Sequence, residues 1–426
     1  NGLAGGYKGV FSVQPYYETV EKYGDIEHRD IWEYTLNLNG DEMAQLIRHA
    51  WEVKAIHFDY YFLRENCSYR LLSLLDVARL DINITQGNHP VYALPVDTVR
   101  TVAEAGLIDA AYYRPAITSR LEQMYQQVSD AAKKTTHNII QHENNNWRSD
   151  LDGFSAVEQA RILELANDWQ QFIAKDDVQN NHEILLARSQ LDVATEDAAF
   201  VFKADNPLQS HASARTYFAY GEHEQQDFVE LAFRPVFHDL LDNATGFVPG
   251  AEVSVLDTHV RWYEDEQRLH LQQLNLFKLK SLVPVRPWSH PVSVKFSAAV
   301  DRRYLSNTVD SKLFSLEMGA GYSAQLASVI VYGMADLGMD YSKKLDEDHA
   351  VYLGGEIGAL FVFDNSQSLF TIQLADSISG EQVRKENYRW QYQHRLAGQH
   401  ALKLQYEMNI QFIRDSSVSF GYMYYF

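Results

Sequence analysis

The chain has 426 residues, enough for two units with separate cores, and a formal net charge of −20. No Lys/Arg-rich run offsets that acidity, which excludes neutralising a phosphate backbone, so no nucleic-acid partner is expected. The single cysteine, Cys67, excludes an intrachain disulfide, and the longest apolar runs, such as Val329 to Ala335, are strand-sized, which excludes helical membrane spans. Twenty-six Tyr and 21 Phe against 10 Pro suit strands with aromatic girdles. The chain opens at Asn1-Gly2 without a basic and then apolar leader, so an export signal is expected to have been removed or to lie outside the sequence.

Residues 1–112 read as a mixed α/β domain. Ile31 to Leu38 alternates as a half-buried strand. Asn39 then precedes Glu42 at capping-box spacing, and Met43, Leu46, Ile47 and Ala50 share one helical face. His57 to Leu63 is β-prone and leads into a second amphipathic helix, with Cys67, Leu71, Leu74, Leu75 and Ala78 on one face and Asn66 as its N-cap. Residues 113–205 are predicted as a helical connector: Ile117, Leu121, Met124, Tyr125 and Val128 keep one helical period, and Val157, Ile162, Leu165, Trp169 and Phe172 another, with the Asn144 to Asn146 run as a loop between them. An ordinary helical subdomain fits the same pattern equally.

From about residue 206, and clearly from His211, the period changes to two. Phe314, Leu316, Met318, Ala320 and Tyr322 alternate with polar or small residues, as do Leu402, Leu404, Tyr406, Met408, Ile410 and Phe412. Several segments hold this for ten or more residues, the length a tilted strand needs to cross a bilayer. Charges on the other face, including Glu317, Asp336, Glu356, Arg389, Arg395 and Glu407, suit a polar lumen in which they pair or face water. Residues 206–426 are therefore predicted to form a transmembrane antiparallel β-barrel of about 12 strands, with Phe314, Leu316, Leu402, Leu404, Phe420 and Tyr422 in its lipid-facing belt. The alternation from Val418 to Phe426 resembles the terminal strand of outer-membrane barrels, whose final aromatic the barrel assembly machinery recognises.

Cys67 at a helix N-terminus has the dipole and free N–H groups that favour a thiolate and could hold an oxyanion, with Asn66, Ser68 and Tyr69 as site-lining or oxyanion candidates. On position alone, a free cysteine is more often an inert small core residue. The candidate bases, His28 and His57, have no diagnostic spacing. His57 lies roughly 30 Å away along an extended path at about 3.3 Å per residue. No His, Cys or carboxylate cluster shows a recognisable ligand spacing around Cys67, and neither metal nor cofactor is expected.

The segments Asn1-Gly2-Leu3-Ala4-Gly5-Gly6-Tyr7, Pro15-Tyr16-Tyr17, Asp30-Ile31-Trp32-Glu33-Tyr34, Phe58-Asp59-Tyr60-Tyr61-Phe62, Glu65-Asn66-Cys67-Ser68-Tyr69-Arg70 and Leu94-Pro95-Val96-Asp97-Thr98-Val99-Arg100 carry a resemblance. Together they resemble a bacterial envelope family whose domain is related to the periplasmic domain of the lyso-form lipoprotein N-acyl transferase, Lnb. The resemblance covers about the first 110 residues. It implies a permuted papain-like thiol site in which Cys67 forms an acyl-thioester. It also implies an outer-membrane location with a periplasmic N-terminal part, and acylated lipid or lipoproteins as partners. In that family the histidine lies in a Gly-His-Thr-Phe-like motif upstream of the Gly-Gly-Tyr segment. The expectation is therefore that no histidine within 1–426 contacts Cys67 and that an upstream segment supplies the base. The alternative is a non-catalytic barrel, a channel or tether, with the N-terminal domain as a plug or protein-interaction module.

Overall fold

The structure is a computed structural model, and it describes residues 7–61, 64–86, 92–141, 147–174, 178–305 and 309–426. The chain divides into two compact units, Asn1–Asn206 and Pro207–Phe426.

Unit 1 begins with β1 (Tyr7–Gly9), α1 (Tyr16–Val20), β2 (Ile31–Leu36), α2 (Gly40–Val53), β3 (Phe58–Tyr60), α3 (Cys67–Ala78), α4 (Pro95–Glu104) and β4 (Ile108–Arg114). β1 pairs antiparallel with β3, and β2 with β4. The capping box at α2 is formed: Asn39 Oδ1 accepts the Asp41 and Glu42 N–H groups at 2.9 and 3.0 Å, and Glu42 accepts the Asn39 N–H at 2.8 Å. Arg79, just past the end of α3, reaches Glu42 at 2.8 Å and ties the two helices together.

Two helical faces differ from the expectation. On α2, Met43 and Ile47 are 40 % and 63 % exposed, because the described residues place no apolar layer over that face. On α3, the face is buried only in its later turns. Leu72, Leu75, Ile84, Val102 and Leu107 form a core that meets the second half of the helix, so Leu72 is buried while Cys67 and Leu71 are exposed.

The helices α5 (Ile117–Gln126), α6 (Asp130–Gln141), α7 (Ala156–Ile173), α8 (Val178–Ser189) and α9 (Thr195–Ala198) follow. α7 packs against α5, α6 and α8, and Leu121, Met124, Ile162, Leu165 and Trp169 fill that core as their spacing predicts. The Asn144 to Asn146 run, residues 1–6, and Phe62 and Leu63 lie outside the described residues.

Unit 2 is all β: β5 (Arg215–His223), β6 (Gln226–Arg234), β7 (Val236–His238), β8 (Ala251–Tyr263), β9 (Arg268–Ser281), β10 (Ser293–Tyr304), β11 (Asp310–Leu326), β12 (Val329–Tyr341), β13 (His349–Val362), β14 (Ser366–Gly380), β15 (Arg384–Arg395), β16 (His400–Ile410) and β17 (Arg414–Tyr425). β6 and β7 are one stave interrupted at Pro235, which has no N–H to donate; both pair with β8. Every neighbour is antiparallel, and β17 pairs with β5, so among the described residues twelve staves close a barrel. Closure leaves no sheet edge to aggregate.

The register is the one the alternation predicts. Phe314, Phe420 and Tyr422 point outward and are 37–56 % exposed, in a belt continued by Phe218, Leu337, Ile357 and Phe370 on other staves. So wide an apolar surface matches hydrocarbon rather than water. Phe420 sits mid-strand, opposite Leu404 and Tyr220. Phe420→Arg is expected to cost about 2–3 kcal/mol in refolding into lipid vesicles, while Ser419→Arg, on the inner face, should not show this membrane penalty. Equal losses at both positions would show the register to be wrong.

Candidate functional site

Cys67 is the first residue of α3, and its thiol is free and exposed. Asn66 caps the helix from an extended conformation. Its Oδ1 accepts the Tyr69 N–H at 3.1 Å and the Ser68 hydroxyl at 2.8 Å, while its Nδ2 donates to the Ala93 carbonyl at 2.6 Å. Only 5 % of Asn66 is exposed, so the cap pins the Cys67 turn to the irregular segment just before α4, 27 residues away. Asn66→Ala is expected to cost about 1–2 kcal/mol in unit 1 and to slow alkylation of Cys67, read by thermal melting and iodoacetamide kinetics.

The four residues singled out from the sequence thus form one turn, with divided tasks. The Tyr69 N–H is spent on the cap and is not available as an oxyanion donor, and the Ser68 hydroxyl is turned back on Asn66. The first N–H groups of a helix have no partner within it, so those of Cys67 and Ser68 are the ones suited to a developing negative charge.

Sequence reasoning missed two neighbours. Glu65 pairs with Arg70, whose guanidinium lies 4.8 Å from the centre of the Phe58 ring, tying the start of α3 to β3. Tyr60, also on β3, has its phenol pKa raised, by burial first and then by the charge of Cys67. Tyr60 is therefore within electrostatic range of the sulfur. Neither contact follows from local spacing.

His28 packs its ring on Phe172, with centroids 5.2 Å apart, and His57 is exposed. Among the described residues, no histidine is hydrogen-bonded to the Cys67 sulfur.

A second polar constellation fills the barrel. Lys295 on β10 meets Glu317 at 2.5 Å, Asp336 at 2.7 Å and Glu356 at 2.6 Å, and Lys280 reaches Glu356 at 2.6 Å. The three carboxylates have the proximity of a metal site, but the Lys295 ammonium already occupies their centre. Gly319 makes the space: a Cβ there would stand 2.8 Å from Lys295 Cε. Arg389 pairs with Glu407 at 2.7 Å, and Arg395 lines a small cleft beside Tyr425. The predicted lumen charges thus face inward and are paired or wet.

These features define an outer-membrane β-barrel protein that carries a separate, mixed α/β and helical N-terminal unit. Residues 1–105 match the model of the Lnb N-terminal periplasmic domain, and residues 111–199 match a domain of unknown function, DUF7842. Residues 204–425, more than half of the chain, match a further domain of unknown function, DUF7840, and the chain belongs to that family. The N-terminal part is periplasmic. Similar solved structures include the KdgM porin (10 % identity, TM-score 0.29, covering 50 % of this chain and 99 % of that one) and the NanC porin (6 %, 0.32, 50 % and 100 %). The outer-membrane protein OmpT of Vibrio cholerae is a third (5 %, 0.26, 50 % and 96 %). No curated protein matches the chain.

Proposed function

We propose that the N-terminal domain is a permuted papain-like thiol acyltransferase or hydrolase, with Cys67 as nucleophile, acting on acylated lipid or lipoprotein at the inner leaflet of the outer membrane. The observation that carries this reading is the exposed, free Cys67 at the capped start of α3, in a domain of the Lnb periplasmic type. The Cys67 thiol gives its proton to a base and the thiolate attacks the acyl carbonyl carbon; a sulfur–carbon bond forms, the acyl carbon–oxygen or carbon–nitrogen bond breaks, and the base returns its proton to the departing alcohol or amine. The acceptor, an amine or water, then attacks the thioester carbonyl, gives up its proton to a base, and releases the thiolate. Tyr60, a phenol that is protonated at neutral pH even at its ordinary pKa, is the candidate donor of a hydrogen bond to the sulfur or to the departing group. The barrel anchors the domain in the membrane that holds the substrate, raising effective concentration without a further contact.

The test uses the full chain in phospholipid vesicles, with a fluorescent-acyl phospholipid as donor and a lipopeptide with a free N-terminal amine as acceptor. Label is expected to leave the donor and appear on the lipopeptide, or as free fatty acid if water is the acceptor. A donor that stays intact with correctly folded protein contradicts the reading.

A further inference from the structure

The connection between β7 and β8, residues 239–250, does not stay at the rim. Leu240 and Leu241 are 6 % and 1 % exposed and pack with Leu282, Ile330, Tyr332, Met334, Leu360 and Leu369. In a ring of twelve staves, β13 and β14 stand diametrically opposite the junction of β7 with β8. Leu360 belongs to β13 and Leu369 to β14. The connection therefore turns into the lumen, and the apolar cluster that its two leucines join reaches the far wall.

Its near side is held by charge. Arg215 on β5 meets Asp239 at 2.9 Å, and Arg234 on β6 meets Asp242 at 2.6 Å. Tyr425, at the end of β17, donates to Asp242 at 2.5 Å, and the Asp239 N–H reaches the other Asp242 oxygen at 2.9 Å. Asp242 is thus saturated by protein donors. His211 and His238 share a 2.8 Å hydrogen bond beside it, and His238 stacks on Phe247 of the connection, centroids 4.2 Å apart. The polar cavity in the barrel, about 250 Å³, has Asp239, Leu240 and Leu241 among its walls, and the leucine cluster continues beyond them.

The geometry points to a barrel closed by this connection: a sealed anchor that excludes hydrated ions, and not a pore. An ion would have to shed its water to pass an apolar constriction that the fold holds by ion pairs on one wall and by side-chain packing on the other. The connection lies at the end that holds the barrel's own termini, because β5 leaves that end and β6 and β7 return to it. This inference is independent of the chemistry assigned to Cys67.

The test is conductance of the full chain in planar lipid bilayers, with heat-modifiable gel mobility as the check of folding. The wild type should give no stable current steps, and a folded Leu240→Asp/Leu241→Asp variant should give them. In a Cys67→Ser background, Leu241→Cys should react with a charged maleimide about a hundredfold more slowly folded than denatured. That measurement decides the question even if the double variant does not fold. Steady wild-type conductance, a folded double variant that stays silent, or equal labelling of folded and denatured Leu241→Cys would each overturn the inference.

Discussion

Lys295→Met is expected to destabilise the barrel by roughly 3–5 kcal/mol, the largest stability effect of any single substitution considered. Lys295 is 7 % exposed and is the shared cation for Glu317, Asp336 and Glu356. Removing it leaves carboxylates facing one another in a site largely shut off from water. The loss should fall unequally. Glu356 keeps Lys280 at 2.6 Å and Glu317 has Lys385 at 3.9 Å, whereas among the described residues the only ion pair of Asp336 is with Lys295. Adding Asp336→Asn to Lys295→Met is therefore expected to recover at least half of the loss, measured by urea titration of the folded band in detergent. A single variant within about 0.5 kcal/mol of wild type would mean that water screens these charges.

Cys67→Ala is expected to abolish acyl transfer or hydrolysis, and Cys67→Ser to lower it by roughly a thousandfold or more, because a hydroxyl at that position lacks the ready ionisation of a thiol. Neither change should alter barrel folding, since Cys67 is exposed and outside the core of α3. Tyr60→Phe separates a positioning role from a structural one. If Tyr60 steadies the sulfur or the leaving group, the variant shifts the pH profile of Cys67 alkylation while the melting temperature stays close to wild type.

The barrel was legible because lipid on one side and a polar lumen on the other impose a period of two, as in Phe314, Leu316 and Met318 against Ser315, Glu317 and Gly319. The seal was not. The Leu240-Leu241 pair lies in a turn and has no period of its own. Its one trace is the apolar run Val329 to Ala335, where alternation fails. Val331 and Ala335 face lipid, while Ile330, Tyr332 and Met334 face the leucines inside, so both sides of that stretch are apolar. In unit 1, the Asn66 cap and the helix it starts were readable from local spacing. The Ala93 carbonyl that Asn66 holds, and the placement of Tyr60, depend on chain closure over distances that no short pattern records. The exposed faces of α2 and of the first turn of α3 have the same origin: amphipathic spacing says which side is apolar, and only the tertiary layer says how much of it is covered.

Whether Cys67 takes up an acyl group is decided by the intact mass of the folded full chain after incubation with outer-membrane phospholipid and no acceptor. The expected result is a population carrying one added acyl group, mapped to the Cys67 peptide, released by neutral hydroxylamine as a thioester should be, and missing from Cys67→Ala. An unmodified Cys67 in protein shown to be folded and inserted, or the same adduct on Cys67→Ala, would contradict it.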